Sequence, residues 1–444
     1  MILRNATVVT PEGTVVRDII VTGERIEALT APGAASGEDG LDLEGFFVFP
    51  GFVDAHVHFN EPGRADWEGL ESGSRALAAG GGTVFVDMPL NSDPPVLSAV
   101  DLLDKRRIAE RKSVADFALW GGLCPGAIDA IPAMAEAGAA GFKAFLCPSG
   151  IAEFPHTDRA TLWAGMRLAA ECDLPVAVHA EDPAIVEAAA SRIAGRTFAE
   201  FLASRPKEAE VEAIRMACEE AGETGATLHV VHVTCAEGLE EVAGFRQAGV
   251  RVTAETCPHY LLFDADQAPA IGARAKCAPP LRTAAEVEAL WVALGSGLVE
   301  TIGSDHSPAP PSMKTGDDFF KIWGGISGCQ HGMVAWLGEW HHRHPQRLTE
   351  AAAWIASNPA LLLRLGGKGA IASGFDADLT VVEFGPPADS APALYRHPAH
   401  LYEAFRPRCR VHHVLRRGEF LVRDGRSVAT AGPGKFLTPT RRAI

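Results

Sequence analysis

Two hydrophobic patterns divide the chain. At its ends lie short, β-branched, partly alternating segments: ATVVT and TVVRDIIVTGERIEAL near the start, DLTVVEF and VHHVLRRGEFLVRDG near the finish. Such segments suit half-buried strands. Each set alone has too few strands to bury a face. The simplest expectation is one small composite β-sandwich domain built from 1–48 and 366–444, with two separate β-appendages as the alternative. Between them, eight near-continuous apolar runs recur: Gly51–His56, Thr83–Met88, Asp116–Gly121, Gly141–Leu146, Pro175–His179, Thr227–His232, Val250–Thr256 and Val299–Asp305. Intervening stretches such as Trp67–Gly80 and Ala284–Leu294 carry apolar residues at helical spacing. Apolar strands alternating with helices predict an α/β fold with a parallel sheet covered on both faces. Eight such units point to a (β/α)8 barrel over 49–365. A doubly wound sheet is the alternative, but no GxGxxG follows any run, and Gly80, Gly81 and Gly82 read as a helix stop.

A barrel of this kind carries its chemistry at the C-terminal ends of the strands. Those ends are unusually polar here. The first run ends in Asp54-Ala55-His56-Val57-His58, the second at Asp87, the fifth at His179, the sixth at His232 and the eighth at Asp305. The seventh runs into Glu255 and His259. His56 and His58 are two residues apart, so on a strand both side chains share a face. A single histidine at a strand end is usually just a hydrogen-bonded residue. Four histidines and a carboxylate converging on one rim instead suit a divalent metal such as zinc. Lys143, inside the apolar GFKAFL, is the odd member. A buried ammonium is costly unless paired or neutralised. It is either an outward residue in a strand read one register off, or a ligand whose amine has been modified into an anion.

Composition narrows the partners. Hydrophobic residues make up 47% and charged residues 22% of the 444 residues, ordinary values for a globular enzyme. The formal net charge of −16 disfavours nucleic acid or an anionic membrane surface. No apolar run approaches the ~18 residues of a membrane span, and the first residues lack a signal-peptide core. Nine cysteines without a CxxC pair fit reduced thiols, hence an expected cytoplasmic location.

The motifs PGFVDAHVHFNEPG, GFKAFL, VAVHAE, VVHVT, ETCPHYL and GSDHSP, in this order, resemble the cyclic amidohydrolases of the amidohydrolase superfamily. The terminal GFDADLTVVE is similar to the small β-domain of that group. The pieces HFNEPGR, DMPLNSDPP and KAFLCPSGI look most like the allantoinase branch. The resemblance implies two divalent ions per chain, zinc first and Mn2+ or Co2+ next. It implies His56, His58, Lys143 and Asp305 on the more buried ion, and His179 and His232 on the second. Lys143 would be N-carboxylated and bridge them, and Asp305 would carry protons during catalysis. The implied reaction is ring opening of allantoin to allantoate in purine (ureide) degradation. Hydantoinase or dihydropyrimidinase is the next reading and dihydroorotase the third. Dihydroorotases carry an arginine where this chain has Asn60, and an amide cannot replace a bidentate arginine clamp on a carboxylate. Ala278 likewise stands where they usually show Asn. Expected substrate contacts are Asn60, Asn91, Ser149 and the backbone around Cys277 and Pro279. The expected partner is a small cyclic ureide, and the expected assembly a homo-oligomer, with a tetramer as the first choice. A non-catalytic scaffold barrel, the reading from another class, would purify without metal.

Overall fold

A computed structural model describes residues 1–34 and 40–440. Eight parallel strands follow one another in chain order: Phe52–Val57, Gly82–Asp87, Asp116–Gly122, Gly141–Phe145, Val176–His179, Leu228–Val230, Val252–Thr256 and Thr301–Ile302. A parallel bridge between Val57 and His306 brings the first and last strand ends together, and the His58 N–H donates to the His306 carbonyl at 2.7 Å. This is the (β/α)8 barrel that the apolar runs predict, and it excludes the doubly wound alternative. The strand residues are buried throughout, apart from partial exposure at Phe145 and Thr253. Near-continuous burial is why the runs lack polar alternation.

Two strands end earlier than the apolar runs suggest. The sixth stops at Val230 and the eighth at Ile302, leaving His232 and Asp305 beyond the ladder. Both residues have positive φ, 45° and 43°. That left-handed conformation cannot continue a strand, so the backbone turns each side chain at the rim. The glycine run behaves as its sequence implies. Helix Leu70–Ala79 ends at Gly80, and the second strand starts at Gly82. Gly81 lies at φ 99°, where a Cβ would come within 2.5 Å of the Phe52 ring, so the turn packs tightly on the first barrel strand. Helix Ala284–Gly295 begins with a capping box in which Thr283 and Glu286 satisfy each other's backbone N–H groups.

The two termini build one nine-stranded sheet. Leu379–Phe384 pairs antiparallel with Phe47–Pro50, which joins the C-terminal strands to Ile2–Thr10 and its neighbours. Separate appendages are thereby excluded. Gly51 alone separates Phe47–Pro50 from the first barrel strand.

The N-terminal end of the barrel is fixed to this sheet by buried charge. Lys368 Nζ lies 2.7 Å from both Asp116 and Asp378 and 3.0 Å from Asp376. Asp116 opens the third barrel strand and also pairs with Arg417. The Arg417 N–H donates to Asp378 at 2.7 Å. Every buried charge in this cluster has an opposite partner, as burial demands. Among the described residues, no helix is long and apolar enough to cross a membrane.

Candidate active site

At the opposite end of the barrel, the strand termini deliver their histidines to one cavity. His56, His58, His179, His232 and Asp305 line it together. His56 Nε2 lies 3.2 Å and His58 Nε2 3.4 Å from Asp305 Oδ1. His179 Nδ1 lies 3.0 Å from His232 Nε2. The His56 and His232 rings, with centroids 5.5 Å apart, connect the two groups. Lys143 is fully buried, and its Nζ has no hydrogen-bond partner. That amine sits 5.1 Å above the Phe145 ring, which itself stacks on His179. The alternative of an outward Lys143 fails on this burial.

Two glutamates orient the imidazoles. Glu255 accepts from His56 Nδ1 at 2.7 Å, leaving Nε2 toward Asp305. Glu181 accepts from His179 Nε2 at 2.7 Å, leaving Nδ1 toward His232. A ligand histidine held at one nitrogen presents the other as a fixed lone pair. Burial opposes the charge on both glutamates. Even so, His56 and His229 draw Glu255 down to about 2, and Arg205 and His179 do the same for Glu181.

Burial pushes His58 and His179 below the ordinary imidazole value. It pushes His232 further down, with help from His179 and Lys143. Neutral rings are the form that binds metal. Burial works against charge on Asp305, but His56, His58 and His232 outweigh it and hold the carboxyl well below its usual range. Burial also brings the Lys143 amine down to about 8, against the pull of Asp305 and Glu255.

This donor set fits divalent metal. His56, His58 and Asp305 offer donor atoms within 4.8 Å of one another, and the unpartnered Lys143 amine lies buried over the Phe145 ring that lines the same cavity. Cys147, His179 and Glu181 form a second close group. There the thiol is pushed up by burial and Glu181 is engaged by Arg205, so that group lacks a thiolate.

The other expected contacts divide. Asn91 and Ser149 line the cavity. Asn91 Nδ2 lies 3.4 Å from both His58 Nδ1 and Ser307 Oγ, and Ser149 Oγ donates to the Phe154 carbonyl at 2.6 Å. Asn60 does not line it. Its φ of 63° turns the side chain so that Nδ2 donates to the Pro308 carbonyl at 3.2 Å. Cys277 and Pro279 flank the cavity through Ala278, which does line it, and the Pro279 carbonyl is taken by the Tyr260 hydroxyl at 2.8 Å. Sequence reasoning missed Arg205, Ser307 and Trp323, which line the cavity from loops, and the orienting role of Glu181. Glu181 carried a signal, since it stands two residues after His179. Arg205, in ASRPK, carried none.

Comparison with known proteins agrees with this geometry. Residues 47–421 match the Amidohydrolase family. The chain is 44% identical to an allantoinase of Solibacter usitatus over 99% of its own length and 96% of that protein. It is 45% identical to an allantoinase of Rubrobacter xylanophilus, covering 99% of this chain and 98% of the relative. Among solved structures, L-hydantoinase (dihydropyrimidinase) from Arthrobacter aurescens superposes with a TM-score of 0.94 at 30% identity, covering 98% of this chain and 99% of that one. An eight-stranded barrel with histidines and an aspartate at its rim, matched over nearly its whole length, makes this chain a member of the amidohydrolase family, in its allantoinase branch.

Proposed function

We propose that the chain opens the five-membered ring of allantoin by hydrolysing its cyclic amide, giving allantoate. The observation that carries the reading is the convergence of His56, His58, His179, His232 and Asp305 on one rim, with the buried, unpartnered Lys143 amine over the Phe145 ring that also lines the cavity. Full-length similarity to allantoinases supports the choice of ring. The solved hydantoinase favours hydantoin-type rings as the second reading.

Under this reading two divalent ions, zinc foremost, would be held by His56, His58, Lys143 and Asp305 and by His179 and His232. Bound there, such ions make water nucleophilic near neutral pH and polarise a carbonyl. Lys143 would serve as a ligand in the form of a carbamate. Its neutral amine adds to carbon dioxide, an N–C bond forms, and one proton leaves. Burial that brings the amine down to about 8 leaves a reactive neutral fraction at pH 7.

Asp305 keeps 9% of its surface open to the cavity. It takes the proton of the attacking water and passes it to the departing ring nitrogen as the C–N bond breaks. The product is a carboxylate at one end of the opened ring and a ureido nitrogen at the other. Phe145, Leu90 and Trp323 supply apolar walls, while Asn91, Ser149 and Ser307 offer polar groups to the ring and its ureido arm. Further parts of the proposal are a cytoplasmic location, consistent with nine free cysteines, and a homotetramer, which light scattering would check.

The test is a hydrolysis panel of allantoin, hydantoin, dihydrouracil and dihydroorotate with metal-loaded protein. Allantoin should give the highest kcat/KM. Faster cleavage of dihydroorotate would overturn the substrate assignment.

A further inference from the structure

The two glutamates that orient ligand histidines are backed differently. Glu255 is followed by His229, whose Nε2 lies 3.7 Å away and whose Nδ1 is bonded to Thr253 Oγ1 at 2.8 Å. Glu181 is backed by a full positive charge. Its Oε2 accepts from Arg205 at 2.8 Å and from His179 Nε2 at 2.7 Å, while its buried Oε1 has no hydrogen-bond partner. The Cys147 thiol also donates to this oxygen at 3.8 Å, so all three of the carboxylate's contacts converge on Oε2, and the two short ones are to His179 and Arg205. That oxygen fixes the ring rotation of His179 only if Arg205 stays in place.

Arg205 is itself anchored. It follows helix Phe198–Ala203, and its backbone carbonyl accepts from Arg282 Nη1 at 2.7 Å. Arg282 Nε donates to Thr234 Oγ1 at 2.8 Å, just beyond His232. Arg282 thus ties the Arg205 loop to the segment carrying His232. The Arg205 side chain also keeps 14% of its surface open and lines the cavity. A surface ion pair would gain little. This pair is buried, and it sits on the nitrogen opposite the one that faces the second metal position.

We propose that Arg205 and Glu181 are a positioning pair, which through His179 sets the affinity of the second ion selectively and leaves the ion held by His56, His58 and Asp305 unaffected. The inference rests on His179 and His232 being metal ligands, as in the proposed function. Partners of this kind tune metal affinity by ~10–100-fold. Glu181→Gln keeps an oxygen acceptor for His179 but loses the charge that holds Arg205. Arg205→Met removes the anchor, and Arg205→Lys preserves the charge with a single donor.

The experiment measures bound zinc per chain by mass spectrometry after titration with a competing chelator, together with kcat and KM at saturating zinc. Wild type should release two ions in two steps. Glu181→Gln and Arg205→Met should weaken one step by ~10–100-fold and leave the other in place, and Arg205→Lys should recover part of the loss. Circular dichroism and thermal melting confirm that each variant is folded. If Glu181→Gln fails to fold, the Arg205 pair of variants still decides. Unchanged chelator titration in folded variants would overturn the inference, as would equal weakening of both steps. Wild type that binds no zinc would overturn the metal reading itself, a result distinct from either.

Discussion

Lys143 and Lys368 are both buried, and the two ends of the barrel treat them in opposite ways. At the N-terminal end Lys368 touches three carboxylates, which outweigh burial and raise its pKa above the ordinary lysine value. At the catalytic rim Lys143 has no hydrogen-bond partner, and burial brings it down to about 8. A fully paired buried charge joins two parts of a fold. An unpaired one costs stability, and the chain retains it where chemistry would consume the amine. The contrast separates a structural lysine from a functional one without reference to any relative.

Breaking the functional side should have the largest effect. Lys143→Ala is expected to lose most bound metal and more than ~10⁴-fold in kcat/KM, over 5 kcal/mol of transition-state stabilisation. Its melting temperature without metal should hold or rise, because an unpaired buried amine has been removed. A short carboxylic acid supplied with metal should restore part of the activity by occupying the vacated space. An active, metal-loaded Lys143→Ala enzyme would remove the lysine from the site.

Asp305→Asn should come next, with a loss of ~10²–10⁴-fold in kcat and a smaller loss of metal. The amide still offers an oxygen but cannot carry the proton. Turnover near the wild-type rate would assign the proton transfer to another group.

Lys368→Met should invert the pattern. It strands Asp116, Asp376 and Asp378 without their shared cation, at a cost of ~3–5 kcal/mol, read by denaturant unfolding, while the folded fraction turns over as before. The sign of its pH dependence follows from the direction of the shift. A lysine whose pKa is raised on folding contributes fully below the unfolded value, and that contribution fades only as pH climbs through the folded one. The melting difference between Lys368→Met and wild type should therefore stay flat between about pH 6 and 9. A difference that shrinks across this window would mean that the lysine is not the titrating partner.

The smallest effect belongs to an exposed pair. Arg167 and Glu171 lie 2.5 Å apart on a helix surface with about half of each side chain in water. Arg167→Ala should change stability by less than ~0.5 kcal/mol, which makes burial, and not pairing as such, the variable that matters.

The barrel was legible because parallel strands covered on both faces leave apolar runs at a regular interval, and the histidines and aspartate of the rim were legible because they end those runs. The same logic reached the terminal sheet only by elimination, since neither set of strands could bury a face alone. Loops obey no period. Arg205, Ser307 and Trp323 reach the cavity from connections, where nothing in their local sequence marks direction. Asn60 shows the reverse error. It sits two residues after His58, yet its left-handed backbone turns the amide toward Pro308. His232 and Asp305 use the same backbone region to bring their side chains to the rim. Residue spacing reads side-chain direction only while the backbone stays extended.

One residue, Gly51, joins the terminal sheet to the barrel strand that leads into His56 and His58. A Cβ at that glycine would overlap the Thr83 side chain at 2.2 Å, so the joint is short and has no slack. The terminal sheet is thus less an ornament than the butt of a lever whose tip carries two histidines of the rim. A barrel cut free at Phe52 would keep every histidine of the rim in its sequence and lose the reference that sets the height of the first two.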